Sequence, residues 1–198
     1  MQVIRFAQLE AKAWRNGAGL TREIARLPEA GPLTTDTSRS GDSWAWRVSI
    51  ADVTSAGDFS LFPEMERVLT VIEGDQIVLK GDDWEKSLEK YQPHRFSGEI
   101  AVQGILPKGN IRDLNVITRT GSFKGFTSIT ELRSEHVYPI FNGQLGILLE
   151  GQATVTGHPE KLEELSQYDA VVGSHDATIW VAGHGVLAVV SIRAINGS

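Results

Sequence analysis

Arginine is the residue type in this chain best placed to do chemistry. In Ser43-Trp44-Ala45-Trp46-Arg47-Val48-Ser49-Ile50-Ala51, alternation puts Trp44, Trp46, Val48 and Ile50 on one strand face and Ala45, Arg47, Ser49 and Ala51 on the other. The bulky face fits a hydrophobic layer beneath a sheet. Arg47 stands among small neighbours, so inside a barrel it can project into a cavity and grip a carboxylate through two parallel hydrogen bonds. An outward, solvated arginine on a half-exposed strand has the same pattern, and periodicity alone does not choose between them.

Two further segments carry polar groups at useful spacing. Trp14-Arg15-Asn16-Gly17-Ala18-Gly19-Leu20-Thr21-Arg22-Glu23-Ile24 has glycines that let backbone approach a ligand, with Asn16, Thr21 and Arg22 as polar tips. Its glycine spacing does not fit a phosphate loop, and a plain glycine-rich turn before a strand explains it equally well. In Arg112-Asp113-Leu114-Asn115-Val116, Asp113 and Asn115 share a face and could bind a ligand or hold Arg47 or Arg67 in place; a strand-start turn is the bland alternative. Arg67 opens an apolar strand and could instead pair with Glu64 or Glu66 at the surface.

Other chemistries find little support. There is no cysteine, which removes disulfides, thiol catalysis and Cys-bound metals. The five histidines show no pairing at i+2 or i+4, so no metal is expected. No Gly-x-Ser-x-Gly occurs, and His175-Asp176 is a turn dipeptide without an evident partner. Acid–base work by His94 or Asp113 is the remaining enzymatic option. The net charge of −6, with basic residues scattered, disfavours nucleic acid or an anionic membrane as partner. No 18-residue apolar run exists and the N-terminus does not resemble a leader peptide, so the expectation is a cytoplasmic protein.

The elements that must position these residues are strands. Short runs rich in Val, Ile, Thr and aromatics alternate with Gly, Pro, Asp and Ser, the all-β pattern. Strands are expected at 3–6, 20–27, 44–52, 59–62, 67–73, 75–80, 100–104, 114–119, 126–133, 145–150, 152–156, 169–172, 177–182 and 186–193. A short helix is expected over Pro159–Ser166 and a mobile surface loop over 31–42. Val68–Gly74 followed by Asp75–Gly81, and Leu145–Gly151 followed by Gln152–Gly157, repeat one pattern: an apolar run, a Glu-Gly step, a second run and a glycine. The repeat predicts two similar antiparallel barrels or jelly rolls, residues 1–120 with the pocket and 121–198 as scaffold or one wall.

The Glu-Gly step fits the cupin variety of barrel, whose metal histidines would stand where Ser60 and Phe62 stand here. Trp14–Ile24, Trp44–Ala51, Gly57–Pro63, Arg67-Val68-Leu69 and Asp113–Val116, in that order, resemble the HutD/Ves family. Ala18 replaces a glycine more common in that family, and Ile117-Thr118-Arg119 departs from its Met and arginine pair.

The resemblance implies a bicupin, two cupin-like barrels packed together, without obligatory metal or other cofactor. It implies a regulator or sensor linked to histidine utilisation that binds a small organic acid such as urocanate, formiminoglutamate or formate. On that reading Arg47 and Arg67 supply positive charge. Asn16, Thr21, Arg22, Ser49, Ser60, Asp113 and Asn115 supply polar contacts, and Trp46 and Phe62 apolar walls. The alternative is a metal-independent isomerase or hydrolase with His94 or Asp113 as acid or base. A third option is a filled, purely structural barrel. The sequence leaves oligomeric state open, a homodimer included.

Overall fold

A computed structural model describes residues 1–14, 16–28, 44–158 and 161–195. The loop expected over 31–42 lies outside these residues. The described residues contain strands and one 3-10 turn (Phe6–Gln8), with no α-helix. In chain order the first strands are β1 (Gln2–Ile4), β2 (Ala11–Ala13), β3 (Gly19–Pro28), β4 (Trp44–Val53), β5 (Gly57–Asp58) and β6 (Met65–Glu73). Then come β7 (Gln76–Lys80), β8 (Glu85–Glu89), β9 (His94–Ser97), β10 (Gln103–Ile105) and β11 (Ile111–Arg119). The remainder are β12 (Phe123–Leu132), β13 (Val137–Ile140), β14 (Gln144–His158), β15 (Lys161–Leu165), β16 (Ala170–Val172) and β17 (Ile179–Ala194).

The chain forms two units, Glu10–Gly125 with Ala194–Ser198, and Met1–Leu9 with Phe126–Arg193. The opening strand therefore belongs with the C-terminal unit. Its β1 pairs with β16, and the backbone N–H of Phe6 donates to Asp169 Oδ1 at 2.9 Å. Arg5 seals the join: its guanidinium donates to Asp169 Oδ2 at 2.8 Å and to Glu163 Oε2 at 3.0 Å. Buried Asp169 would carry an uncompensated charge without these donors.

The unit from Glu10 to Gly125 contains a six-stranded sheet, β2-β3-β4-β11-β6-β9, and a four-stranded sheet, β5-β10-β7-β8. Among the described residues the strand pairings within them are antiparallel. Leu69 and Val71 from one sheet and Ile77, Leu79 and Leu88 from the other share a buried apolar cluster, the driving contribution to closure. Val48, Ile50, Leu114 and Val116, on the opposite face of the larger sheet, are buried as well.

The other unit is one sheet, β1-β16-β14-β17-β12, with β13 on β17 and β15 on β14. Its core gathers Leu148, Val155, Val171, Ile179, Val181 and Leu187.

Several strands differ from expectation. In the first repeat Gly74, at φ 80°, turns the chain between β6 and β7. In the second, Glu150-Gly151 lies inside one continuous strand, β14, in register with Val186 and Gly185 of β17, and the register shift falls just before it, between Leu148 and Glu150. Gly151 has φ 90°, and a Cβ there would lie 2.0 Å from the His184 carbonyl oxygen. The runs expected at 177–182 and 186–193 likewise join in β17 across Gly183 and Gly185. Residues 161–165 of the expected helix are strand β15, paired with β14; Leu162 is exposed and Leu165 buried, as strand pairing dictates. Its first two residues, 159 and 160, lie outside the described set. Residues 59–62 are not a strand but the connection from β5 to β6.

Candidate functional site

The larger sheet of the Glu10–Gly125 unit gathers arginines by register. One rung runs Arg26 on β3, Arg47 on β4, Ile117 on β11, Arg67 on β6 and Phe96 on β9. The next runs Glu23, Ser49, Asn115, Leu69 and His94. Residues opposed across a ladder project to the same side, so these arginines share one face. Parity along β3 would separate Glu23 from Arg26. A bulge between Glu23 and Ala25 restores them to one side.

This face opens on a cavity of about 340 Å³, within the size range of small-molecule sites. Strand β4 contributes Arg47, Ser49 and Ala51; β3 contributes Thr21 and Glu23. Arg67 on β6, and Asn115 and Ile117 on β11, line the same space. Phe59, Ser60 and Phe62 enter from the β5–β6 connection, and Glu10, Lys12, Ala13 and Trp14 from the β2 segment. Trp14 is fixed by its indole N–H, which donates to Thr21 Oγ1 at 2.7 Å.

The two guanidiniums are held by rings. Phe62 lies between them, its centroid 5.3 Å from Cζ of Arg47 and 5.4 Å from Cζ of Arg67. Arg47 also covers Trp44 at 4.8 Å, and Arg67 covers Phe59 at 4.9 Å and Phe96 at 5.1 Å. Such cation–π contacts stabilise a cation without consuming its hydrogen-bond donors. Arg67, 4 % exposed, donates to Asn115 Oδ1 at 2.8 Å. The Asn115 amide in turn donates to Asp113 Oδ1. Nε of Arg47 and of Arg67 is buried without a hydrogen-bond acceptor, and among the described residues no carboxylate forms an ion pair with either.

Burial sets the ionisation here. It pushes the Arg67 guanidinium down to about 10; Asp113 opposes that change and Arg47 adds to it. Arg67 therefore stays charged at neutral pH. Burial also lowers Arg47, with Glu23 opposing and Arg26 reinforcing. Asp113, fully buried, is raised to about 7, first by burial, with Arg67 pulling it down and Asp52 pushing it up. The arrangement presents two desolvated cations to an enclosed space, which suits an anion with planar oxygens.

Of the residues singled out in the sequence, Thr21, Arg47, Ser49, Ser60, Phe62, Arg67 and Asn115 line the cavity. Asn16 does not; its Oδ1 accepts from the Ala18 backbone N–H at 3.1 Å, a local turn contact. Arg22 alternates to the other side and pairs with Asp52 at 2.9 Å. Trp46 follows the opposite face of β4 and is buried there. Trp44, grouped with it by alternation, instead contacts Arg47 and Phe62. Asp113 stands behind Asn115 rather than on the cavity wall. His94 sits against Trp84 and Phe96, its imidazole lowered by burial and then by Lys86, and does not line the cavity.

Glu10, Lys12, Trp14, Glu23, Phe59 and Ile117 were missed. Glu23 and Ile117 each lie two residues beyond a chosen position, Thr21 and Asn115, and that spacing could have found them. Nothing in the sequence predicted that the β2 segment would reach the cavity. Among the described residues no group of three or more His, Cys, Asp or Glu is placed to hold a metal ion. The cavity's cationic donors do not fit one either.

In the other unit a broader depression of about 620 Å³ is lined by small and neutral polar residues such as Ser134, Gln152 and Thr154, with Glu164 and His184; among the described residues no arginine or lysine lines it. No helix among the described residues is long and apolar enough to cross a membrane.

The HutD family model matches residues 6–189. Protein Ves from Citrobacter koseri is 36% identical over 133 residues, covering 66% of this chain and 64% of that relative, so the match spans somewhat under two thirds of the relative's length. Among solved structures, a conserved protein of unknown function from Pseudomonas aeruginosa PAO1 superposes with a TM-score of 0.80 at 26% identity, covering 97% of this chain and 98% of the other. HutD from Pseudomonas fluorescens SBW25, in a formate condition, gives 0.76 at 28% identity, covering 98% and 99%. More distant cupin-type structures, including an oxalate decarboxylase from Lactobacillus farciminis at 10% identity, share the fold alone.

Proposed function

This chain belongs to the HutD family, and from that membership and the cavity we propose that it binds a small carboxylic acid of histidine breakdown, tuning that pathway by holding an intermediate. Urocanate, formiminoglutamate and formate are the ligands to test. One observation carries the reading. Arg47 and Arg67 face a single cavity, caged by aromatic rings, and among the described residues no carboxylate forms an ion pair with either. A buried cation without a directly bonded anion is costly, and an arriving carboxylate lowers that cost. The formate condition of the Pseudomonas fluorescens HutD structure gives a further reason to include the smallest acid.

Thermal shift tests the proposal. Saturation at about 100 times Kd adds about 2.7 kcal/mol to the folded state, a rise of several degrees for a domain of this size. At least one of the three acids is expected to raise the midpoint, and Arg47→Ala to remove that rise while the protein stays folded. The absence of any rise with all three acids, or an undiminished rise in Arg47→Ala, contradicts it. Turnover of these acids, followed by absorbance or mass, would favour the enzymatic alternative.

A further inference from the structure

Glu23 is the feature of the cavity that an anion site alone does not explain. A carboxylate facing two arginines weakens the field that would attract an acid. Yet Glu23 lines the same space, on the rung next to Arg47, and its side chain is 15% exposed. Its charge is compensated: Arg26 Nε lies 3.4 Å from Oε1. That contact is not directed as a hydrogen bond, and Glu23 Oε1 is buried without a hydrogen-bond partner. The bulge in β3 puts Glu23 and Arg26 on this side together, so the carboxylate's presence is built into the strand. A buried acceptor without a donor costs about 1–3 kcal/mol, more when it is charged.

We infer that Glu23 is a specificity-determining residue that accepts an N–H from the ligand, so that the cavity selects acids carrying a nitrogen donor remote from the carboxylate. This rests on the acid-binding reading of the same cavity and narrows it. One end of the ligand is a carboxylate facing Arg47 and Arg67. The other end is a ring or amidine-like N–H facing the Glu23 carboxylate, which lines the cavity. An acid lacking the N–H leaves that carboxylate without a ligand donor, and sites built to pair a substrate N–H reject the analogue without it strongly. Formate satisfies only the arginine end and is a fragment of the true ligand.

Calorimetric titration with an isosteric pair tests this. Urocanate and 3-(2-furyl)acrylate carry the same acrylate carboxylate on a five-membered ring, and only the first has a ring N–H. Wild-type protein is expected to bind urocanate at least about 10-fold more tightly. Glu23→Ala is expected to bring both acids to the furan acid's affinity. Glu23→Gln, isosteric and less disruptive to Arg26, keeps a neutral acceptor and is expected to shrink the ratio several-fold. Equal affinities in wild type, or an unchanged ratio in a folded Glu23 variant, overturn the assignment while Arg47-dependent binding of both acids leaves the acid site standing. Binding of neither acid removes both.

Discussion

Asp113 is the residue whose ionisation differs most from an ordinary one. Its carboxyl is raised from 3.8 to about 7, chiefly by burial. The folded state therefore keeps a proton that the unfolded chain releases near pH 3.8. Stability from this group is complete below about pH 4, falls as pH rises toward 7, and levels above it, with a slope of at most about 1.4 kcal/mol per pH unit. Asp113→Asn keeps the shape and removes the titration. Denaturant unfolding between pH 4.5 and 8 is expected to give a flatter curve for the variant, and parallel curves would contradict this. The role of Asp113 was half legible in the sequence. Its shared face with Asn115 follows from period two, but its place behind Asn115, at 0% exposure, depends on depth, which alternation does not encode.

At the scale of elements, alternation located most strands but not their interruptions. β4, β6 and β11 read clearly because their apolar runs are long. The bulges did not: a Glu-Gly pair turns the chain at Gly74, while at Gly151 the strand runs on, paired with β17, and the difference lies in what each strand pairs with. The bulge in β3 brings Arg26 and Glu23 to the cavity side, and no local signal marked it. The 161–165 segment shows the same override, since its leucine spacing suits a helix while β14 offers it a ladder. The N-terminal strand shows how a few contacts fix an element. Asp169→Ala removes the acceptor for Arg5 and for the backbone N–H groups of Phe6 and Ser166. The expected cost is about 2–4 kcal/mol. Amide exchange should show lost protection at Gln2–Ile4, and unchanged protection there would contradict that role.

For the whole molecule, the all-β cupin character was legible because composition and turn spacing are global properties. The allocation of Met1–Leu9 was not, since it rests on Arg5 finding Asp169 more than 160 residues away. The charge balance also divides by location. The chain carries a net −6, yet the cavity wall holds Arg47 and Arg67 where water is scarce. Enclosed charges are screened less than surface ones, so a negative protein can still hold an acid there. A crystal structure with urocanate bound shows directly where the acid sits. Its carboxylate oxygens are expected within about 3 Å of guanidinium nitrogens of Arg47 and Arg67. Urocanate seated in the depression beside Gln152 and His184, with both arginines still unengaged, would contradict that placement.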